Sequence, residues 1–371
     1  MQLSYWEKNT WFSNIHFTIV GSGIVGLSCA LALRKKFPNK KILVLEKGIL
    51  PEGASTKNAG FACFGSISEI LDDLNNHTEK EVVELVKKRH QGLQLLKENI
   101  GIRNLEFKNY GGYELFLKED TPFFEECKTK IKYINELLHP IFKEKVFNLV
   151  DDVFGFNNSQ NKLIYNKFEG QINTGSMMQT LLKKCHKNNI SILNGVFVES
   201  FLDHKNKVEI QINKHTFYSE KLIITTNGFA KQLGIKNVKP ARAQVLITKP
   251  IKNLKIKGTF HLDKGYYYFR NINNRILFGG GRNLDFKAEE TTIINTTPLM
   301  QEQLKLLLKN VILPKVNYEV DSTWSGIMGV GKEKKPIIKQ LSENVYCGVR
   351  MGGMGIAIGS TIGKDIACLI E

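Results

Sequence analysis

The sequence predicts an α/β fold with a Rossmann-like dinucleotide-binding domain, and three observations in chain order predict it. An apolar strand at residues 16–20 runs directly into the glycine turn Gly21-x-Gly23-x-x-Gly26. A helix follows the turn, and a second apolar strand then ends at the acidic residue Glu46. Strand, glycine turn, helix, strand and acid in this order are typical of a mononucleotide-binding unit.

Each part of this unit has its own physical role. Gly21 permits the tight turn, Gly23 lets the backbone approach a pyrophosphate, and Gly26 lets the helix pack against the strand. The helix N-terminus offers free N–H groups to the phosphates, and Glu46 can accept hydrogen bonds from ribose hydroxyls. The residues that the motif assigns to the dinucleotide are Gly21, Ser22, Gly23, Ile24, Val25, Gly26, Glu46 and Lys47.

Two further stretches favour a flavin dinucleotide over a nicotinamide one. A loop of small polar residues follows Glu46, and it leaves room for a bulky ligand. A strand at Val345–Val349 leads into a second glycine turn and an apolar helix, whose N-terminus can face the negative edge of a reduced flavin. These stretches and the segment after strand Leu222–Thr225 assign to the cofactor Ser55, Thr56, Lys57, Asn58, Ala59, Gly60, Thr226, Asn227, Gly228, Met351, Gly352, Gly353, Met354, Gly355 and Ile356. Val198, in the predicted strand "VFVESFLD", is assigned to the cofactor as well.

Length and composition narrow the class of protein. With 371 residues the chain exceeds one ordinary hydrophobic core, so two domains are expected. We find no apolar run long enough for a transmembrane segment and no apolar signal-peptide core. The six cysteines show neither CxxC nor metal-ligand spacing, so we expect reduced thiols, no metal and a cytoplasmic protein. Peripheral contact with a membrane through Trp6, Trp11 and Phe12 stays open.

The net charge of +16 raises the question of a nucleic-acid partner. The lysines are spread along the chain, and the sequence contains no arginine-rich tract or nucleic-acid motif. We therefore expect a lysine-rich solvated surface and no nucleic-acid partner.

Taken together, these stretches resemble the FAD-dependent amine and amino-acid oxidoreductases of the D-amino-acid oxidase superfamily, which includes glycine oxidase, sarcosine oxidase and γ-glutamylputrescine oxidase. The resemblance covers almost the whole chain from His16 onward. The matching stretches are "GSGIVGLSCALAL…VLEKG", "GASTKNAGF", "GQINTGSMMQTLLKKC", "LIITTNGFAKQLG", "YYYFRNINNRILFGGG", "WSGIMG" and "GVRMGGMGIAIGSTIGKDIA". The short N-terminal "SYWEK" is similar to the leader of the γ-glutamylputrescine oxidase group.

The resemblance implies a discontinuous two-domain fold, in which an α+β substrate domain with an antiparallel sheet accompanies the FAD-binding domain. Residues 1–15 would form an N-terminal extension. The FAD-binding domain would comprise 16–75, 168–235 and 319–371, and the substrate domain 76–167 and 236–318.

The resemblance also implies an activity, the oxidation of the C–N bond of a small-molecule amine or amino acid. A hydride leaves the substrate carbon for flavin N5, and the imine product hydrolyses in water. Because the cofactor carries this chemistry, no dedicated catalytic side chain is expected. Sarcosine oxidases tether their flavin through a cysteine, but residues 324–338 contain none, so noncovalent FAD is expected. The electron acceptor, O2 or a quinone, stays open.

Candidate substrate-binding residues lie in three stretches. In "GYYYFRNI", a strand would place Tyr266, Tyr268 and Arg270 on one face, which can hold a carboxylate or a polar amine. Arg350 stands in the region where glycine oxidase places a carboxylate-binding arginine. For both arginines a structural role, with an acid or a carbonyl as partner, is the alternative. Met328 stands shortly after "WSG", where glycine-type oxidases carry an arginine, and this departure favours an amine whose charge lies farther from the reacting carbon.

Two other functions remain open at this point. The same flavin fold could oxidise a 2-hydroxy acid, which would release no ammonia or amine. The +16 charge is also compatible with a tRNA-modifying flavoprotein, which would bind RNA in a salt-sensitive manner.

Overall fold

The computed structural model describes residues 3–213 and 215–371. The α-helices of the described chain are α1 (Tyr5–Trp11), α2 (Ile24–Lys36), α3 (Ala54–Lys57), α4 (Ile67–Leu74), α5 (Glu79–Ile100), α6 (Ile102–Leu105), α7 (Thr121–Phe142), α8 (Thr174–Lys187), α9 (Pro298–Leu307) and α10 (Gly355–Leu369). The strands are β1 (Ile15–Val20), β2 (Ile42–Glu46), β3 (Phe61–Ala62), β4 (Gly112–Glu114), β5 (Phe147–Asp151), β6 (Lys162–Asn166), β7 (Gly170–Gln171), β8 (Ser191–Asn194), β9 (Val198–His204), β10 (Lys207–Ile212), β11 (His215–Ile224), β12 (Lys239–Thr248), β13 (Thr259–Leu262), β14 (Tyr267–Ile272), β15 (Arg275–Gly280), β16 (Val320–Val330), β17 (Ile337–Ser342) and β18 (Val345–Val349).

The first sheet has the parallel core that the glycine motif predicts. Its strand order is β17-β18-β11-β1-β2-β8, with β10 and β9 added as an antiparallel extension of β11. Strand β1 pairs in parallel with β2 on one side and with β11 on the other. In such a sheet, ligands bind outside the carboxyl ends of the strands where the connections diverge, and β1 marks that point here.

Helices cover one face of this sheet because its central strands are apolar on both sides. Helices α2, α5, α8 and α10 supply Leu27, Leu93, Leu181 and Ile362 to a single buried cluster. Helices α5 and α10 approach so closely that a side chain at Gly92 would collide with the carbonyl of Ala357. This packing fixes the N-terminus of α10 beside the end of β1.

The second sheet is mainly antiparallel, as predicted for the sheet of the substrate domain. Its order is β16-β12-β15-β14-β13-β4-β6-β5, and β4 and β13 form its parallel pair. Helices α4, α5 and α7 pack against its β5–β6 end through residues such as Ile67, Val86, Leu138 and Phe147. Helix α4 thereby comes to lie beside β13 and β4.

The chain alternates between the two sheets, and the domain limits stay a prediction. Residues 15–46, 191–224 and 337–349 supply the first sheet, and residues 112–166, 239–280 and 320–330 supply the second. Strand β16 pairs along its length with β12 in the second sheet. The predicted limit at residue 319 had placed this strand with the FAD-binding segments, because glycine-rich "WSGIMG" gives no sign of which sheet it joins.

Other sequence expectations concern the surface and the thiols. Five of the six cysteines are buried, and Cys368 is exposed. Tyr5 and Trp6 of α1 are both largely exposed. Within residues 3–213 and 215–371, no helix combines the length and apolar character needed to cross a bilayer.

Candidate active site

A cavity of about 610 Å³ is lined by residues of both sheets. The carboxyl ends of β1, β2, β11 and β18 form one side, and strands β12 to β16 form the other. Its volume falls in the range of roughly 300–1,000 Å³ that is typical of small-molecule and cofactor sites.

The glycine turn forms one end of the cavity. Gly21, Gly23, Ile24 and Val25 line it, and Gly21 has a φ of +104°, which a residue with a side chain rarely adopts. A Cβ at Gly23 would lie 2.8 Å from Oγ of Ser55. The turn therefore presents bare backbone and the N-terminus of α2 to the cavity, which is the arrangement that binds a pyrophosphate.

Glu46 is held at the end of β2 beside this turn. Its Oε2 accepts hydrogen bonds from the backbone N–H and the hydroxyl of Ser22, at 3.0 and 2.9 Å, and Oε1 accepts from the N–H of Gly48. Glu46 lines the cavity although it is only 6% exposed, and Lys47 lines it too. The N–H of Glu52 makes a further, long contact of 3.5 Å to Oε1. Since a carboxylate has about four acceptor sites, ribose hydroxyls can bind Glu46 by replacing this long contact or the Ser22 hydroxyl.

Four of the predicted cofactor residues lie behind the cavity lining. Ser22 is fully buried against Glu46, and Thr56 donates its hydroxyl to the carbonyl of Pro51. Side chains at Gly26 or Gly228 would collide with the backbone of Gly21 or Met328. These four positions support the residues that face the cavity.

Helix α3 and the loop that joins it to β3 form the next wall. Ser55 and Lys57 of α3 and Asn58, Ala59 and Gly60 of the loop all line the cavity. Oδ1 of Asn58 accepts from the N–H of Gly60 at 2.9 Å, which holds the loop in its bend. This is the loop of small residues that the sequence assigned to a bulky ligand.

The second glycine turn closes the cavity from the other side. Residues 351–356 line it at the N-terminus of α10, and Thr226 and Asn227 line it just after β11. Val198 lines it at the start of β9. Oδ1 of Asn227 accepts from the backbone N–H groups of Arg350 and Met351, at 3.0 and 3.1 Å, and so ties the turn to the end of β11. The buried hydroxyl of Thr226 has no partner within the described part of the chain.

These features together fit FAD. Helices α2 and α10 both begin at the cavity, so N–H groups and positive dipole ends are available for the pyrophosphate and for the flavin. Glu46 would supply the ribose acceptor, and the unpartnered hydroxyl of Thr226 is a polar group that a bound ligand would satisfy.

The fold and this site define a flavoprotein oxidoreductase. The chain belongs to the FAD dependent oxidoreductase family, abbreviated DAO, because the profile of that family matches residues 16–369. FAD is accordingly its cofactor.

Solved structures share the fold at low sequence identity. L-proline dehydrogenase from P. horikoshii superimposes with a TM-score of 0.75 at 18% identity, covering 96% of this chain and 93% of that one. Glycine oxidase from Geobacillus kaustophilus gives 0.75 at 16%, covering 96% and 95%. Iminodiacetate oxidase from Chelativorans sp. BNC1 gives 0.74 at 16%, also covering 96% and 95%. A search of curated protein sequences found no match.

The structure separates the predicted substrate residues into two groups. Tyr266, Tyr268 and Met328 line the cavity. Burial raises the pKa of Tyr268 to about 12, so its hydroxyl stays a hydrogen-bond donor at neutral pH. Arg270 is 3% exposed and lies behind the lining, with its guanidinium against Gly60.

Arg350 lines the cavity, but its guanidinium already has protein partners. Nε donates to the carbonyl of Lys335 at 2.8 Å, and Nη2 pairs with the carboxylate of Glu333 at 3.0 Å. A contact from Nη1 to the carbonyl of Asn237 measures 3.4 Å. This is the structural role that the sequence left open as the alternative for Arg350.

Arg282 was not identified from the sequence, yet it lines the cavity beside both tyrosines. Its guanidinium stacks 4.7 Å from the ring centre of Phe286. Burial lowers its pKa, and the nearby Tyr266, Glu289 and Tyr268 oppose that effect. Among the described residues it has neither a hydrogen-bond acceptor nor an ion-pair partner, whereas Arg242 is paired with Glu289 and Arg350 with Glu333. Within the same part of the chain Arg270 also lacks a partner, but it lies behind the cavity lining, so Arg282 is the unpaired guanidinium that reaches the cavity.

A buried cluster of ionisable residues at the opposite wall was also missed. Nε2 of His261 lies 2.5 Å from Oε1 of Glu169, and the thiol of Cys63 is within 4.8 Å of both. His261 and Glu169 are 92 residues apart, so no local spacing could reveal the pair. Glu69 faces the other ring nitrogen, and Glu114 lies behind α4, where it accepts hydrogen bonds from Ser66 and Ser68.

This cluster predicts lower stability at alkaline pH. Burial alone would lower the pKa of His261, but Glu169, Glu69 and Glu114 outweigh it and raise the pKa to about 9. A raised histidine pKa gives stabilisation that is complete below its ordinary value and is lost as the pH rises through 9. The free energy of unfolding of the holoprotein should therefore fall between pH 7 and 10, by at most about 1.4 kcal/mol per pH unit.

Denaturant titrations at several pH values check this expectation. Substitution His261→Asn should flatten the slope, while His186→Asn at an exposed position should leave it unchanged. Parallel slopes for wild type and His261→Asn would show that His261 does not carry the effect.

Proposed function

We propose that this protein oxidises the C–N bond of a small amine or amino acid. The main support for this proposal is the shape and lining of the cavity. The cavity continues from the two glycine turns to a wall that carries the phenols of Tyr266 and Tyr268 and the unpaired guanidinium of Arg282. FAD supplies the chemistry when bound, since it accepts the hydride from the carbon next to nitrogen, and the resulting imine hydrolyses to a carbonyl compound and ammonia or an amine.

The chain's own residues would orient the substrate rather than react with it. Arg282 would bind an anionic group of the substrate, because a cation without a protein partner is the group most free to do so. Tyr266 and Tyr268 would donate hydrogen bonds beside it. Met328 would supply an apolar contact. Arg270, whose Nε is buried without a partner, is a second candidate for binding the anionic group, although its guanidinium lies behind Gly60.

Membership of the family supports an oxidoreductase, and the fold neighbours add a reason to test nitrogen compounds first. Their names refer to proline, glycine and iminodiacetate. An anaerobic panel of amines, D- and L-amino acids and 2-hydroxy acids would test the proposal through loss of flavin absorbance. We expect bleaching by at least one amine or amino acid. Bleaching by hydroxy acids alone would overturn the proposal.

We propose that FAD is bound noncovalently. Cys63 is the cysteine of the cavity lining within the described residues, and burial raises its pKa well above the ordinary value, so it stays a weakly nucleophilic thiol. After denaturation and ultrafiltration, the flavin should pass the membrane and leave a colourless polypeptide. Yellow colour retained with the polypeptide would show a covalent link.

A further inference from the structure

Two polar groups face each other across a gap at one wall of the cavity. Nδ1 of His261 lies 3.9 Å from Oε2 of Glu69, which is beyond hydrogen-bond distance. Both residues line the cavity. No other hydrogen-bond partner of Nδ1 occurs among residues 3–213 and 215–371. A small polar group in the cavity can therefore bridge the two atoms from the side that faces the cavity.

His261 is fixed in place from the side away from this gap. Its Nε2 contacts Glu169, and Glu169 also accepts a hydrogen bond from the hydroxyl of Thr259 at 2.8 Å. Phe61 packs edge-on against the ring, with 5.3 Å between the ring centres. A ring held on both sides keeps Nδ1 directed at Glu69.

Glu69 differs from the two other acids that α4 presents to the cavity. Asp72 lies 3.2 Å and Asp73 2.5 Å from Nζ of Lys334. Glu69 has His261 as its cationic neighbour, and His261 is already engaged by Glu169. Its Oε2 accepts from the backbone N–H of Ser66 at 2.9 Å, which leaves further acceptor capacity.

We propose that the amino nitrogen of the substrate binds in this gap, between Nδ1 of His261 and Oε2 of Glu69. This inference rests on the proposed function, and it identifies the amino group as the part of the substrate that binds to this wall. A protonated primary or secondary amine fits, because its N–H groups can donate to Oε2 of Glu69 and, when the ring keeps only its Nε2 proton facing Glu169, also to Nδ1 of His261. Because the two carboxylates of Glu69 and Glu169 flank the ring, the wall favours this cation over an uncharged hydroxyl.

A non-oxidisable amine tests the site without depending on turnover. tert-Butylamine has no hydrogen on the carbon next to nitrogen, and tert-butanol has the same shape without the charge. We expect calorimetric titration of the FAD-loaded protein to show binding of the amine, with at least tenfold weaker binding of the alcohol. Glu69→Gln should weaken amine binding at least tenfold. It should retain FAD, because the Gln amide oxygen can still accept the Ser66 N–H that caps α4.

Asp72→Asn is the matched control, since it removes an acid from the same helix that already has lysine partners. Its affinity for tert-butylamine should stay within twofold of wild type. Absence of amine binding to wild type, unchanged affinity in Glu69→Gln, an equal loss in Asp72→Asn, or equal binding of the alcohol would each overturn the inference.

The two proposals can fail separately. If tert-butylamine binds through Glu69 but no amine or amino acid bleaches the flavin, the binding site stands and the proposed function fails. If amines bleach the flavin equally in wild type and Glu69→Gln, the proposed function stands and this site is wrong.

Discussion

Gly23→Val is expected to yield a folded protein that purifies almost without FAD. Gly23 is the N-cap residue of α2. A Cβ there would lie 2.8 Å from Oγ of Ser55, and this oxygen accepts a hydrogen bond from the N–H of Ile24. The larger valine side chain would also occupy the backbone approach to the pyrophosphate. We expect FAD affinity to fall by at least about 100-fold, or ~2.7 kcal/mol. The ratio of flavin to protein absorbance after gel filtration, followed by titration with FAD, measures it.

Gly175→Val is the control for this experiment. Gly175 lies in the first turn of α8 and is not part of the cavity lining, and a Cβ there would have its nearest neighbour at 3.4 Å. This variant should retain FAD, and circular dichroism should show native secondary structure for both proteins. Normal FAD affinity in folded Gly23→Val would contradict the assignment of the turn to the pyrophosphate.

Arg282→Leu is expected to produce the largest loss of activity among the arginine variants near the cavity. If Arg282 binds an anionic group of the substrate, its removal should lower kcat/KM by about 10²–10³, corresponding to roughly 2.7–4 kcal/mol of transition-state stabilisation. The loss follows because the reacting carbon must be held in a narrow range of positions. FAD content should stay normal, and substrates without an anionic group should be much less affected.

The two arginines that the sequence singled out provide the comparison. Arg350→Leu should mainly lower thermal stability, because its guanidinium is bonded to Lys335 and Glu333. Arg270→Leu should change kcat/KM less than Arg282→Leu, because its side chain lies behind Gly60. If either Arg350→Leu or Arg270→Leu lowers kcat/KM more than Arg282→Leu does, the arginine replaced in that variant, and not Arg282, binds the anionic group.

The cofactor end of the site was predictable because its determinants are local. A tight turn, a close backbone approach and a helix N-terminus each require particular residues at fixed spacing, as at Gly21 and Gly23. The same logic could not distinguish residues that face the ligand from those that support them. Ser22 and Gly26 belong to the motif, yet the structure places them behind the cavity lining.

The substrate end was less predictable because long-range strand pairing assembles it. Tyr266 and Tyr268 were found as a local aromatic run, but Arg282 lies past the next strand, after a glycine turn that returns it to the same cavity. His261 and Glu169 meet because β13 pairs with β4, whose residue Gly112 leaves space for the Glu169 carboxylate. No spacing along the chain contains that information.

Nitrogen release per flavin reduced is the most direct test of the central claim, which is oxidation of a C–N bond. The FAD-loaded protein would be mixed anaerobically with its best substrate in a single turnover, and reduced flavin, carbonyl product and released ammonia or amine would be measured in the same sample. We expect one carbonyl group and one amino group or ammonia to be formed for each flavin reduced; a cyclic amine would give both groups in one ring-opened product. Complete flavin reduction with neither ammonia, an amine nor a ring-opened aminocarbonyl formed would contradict C–N oxidation.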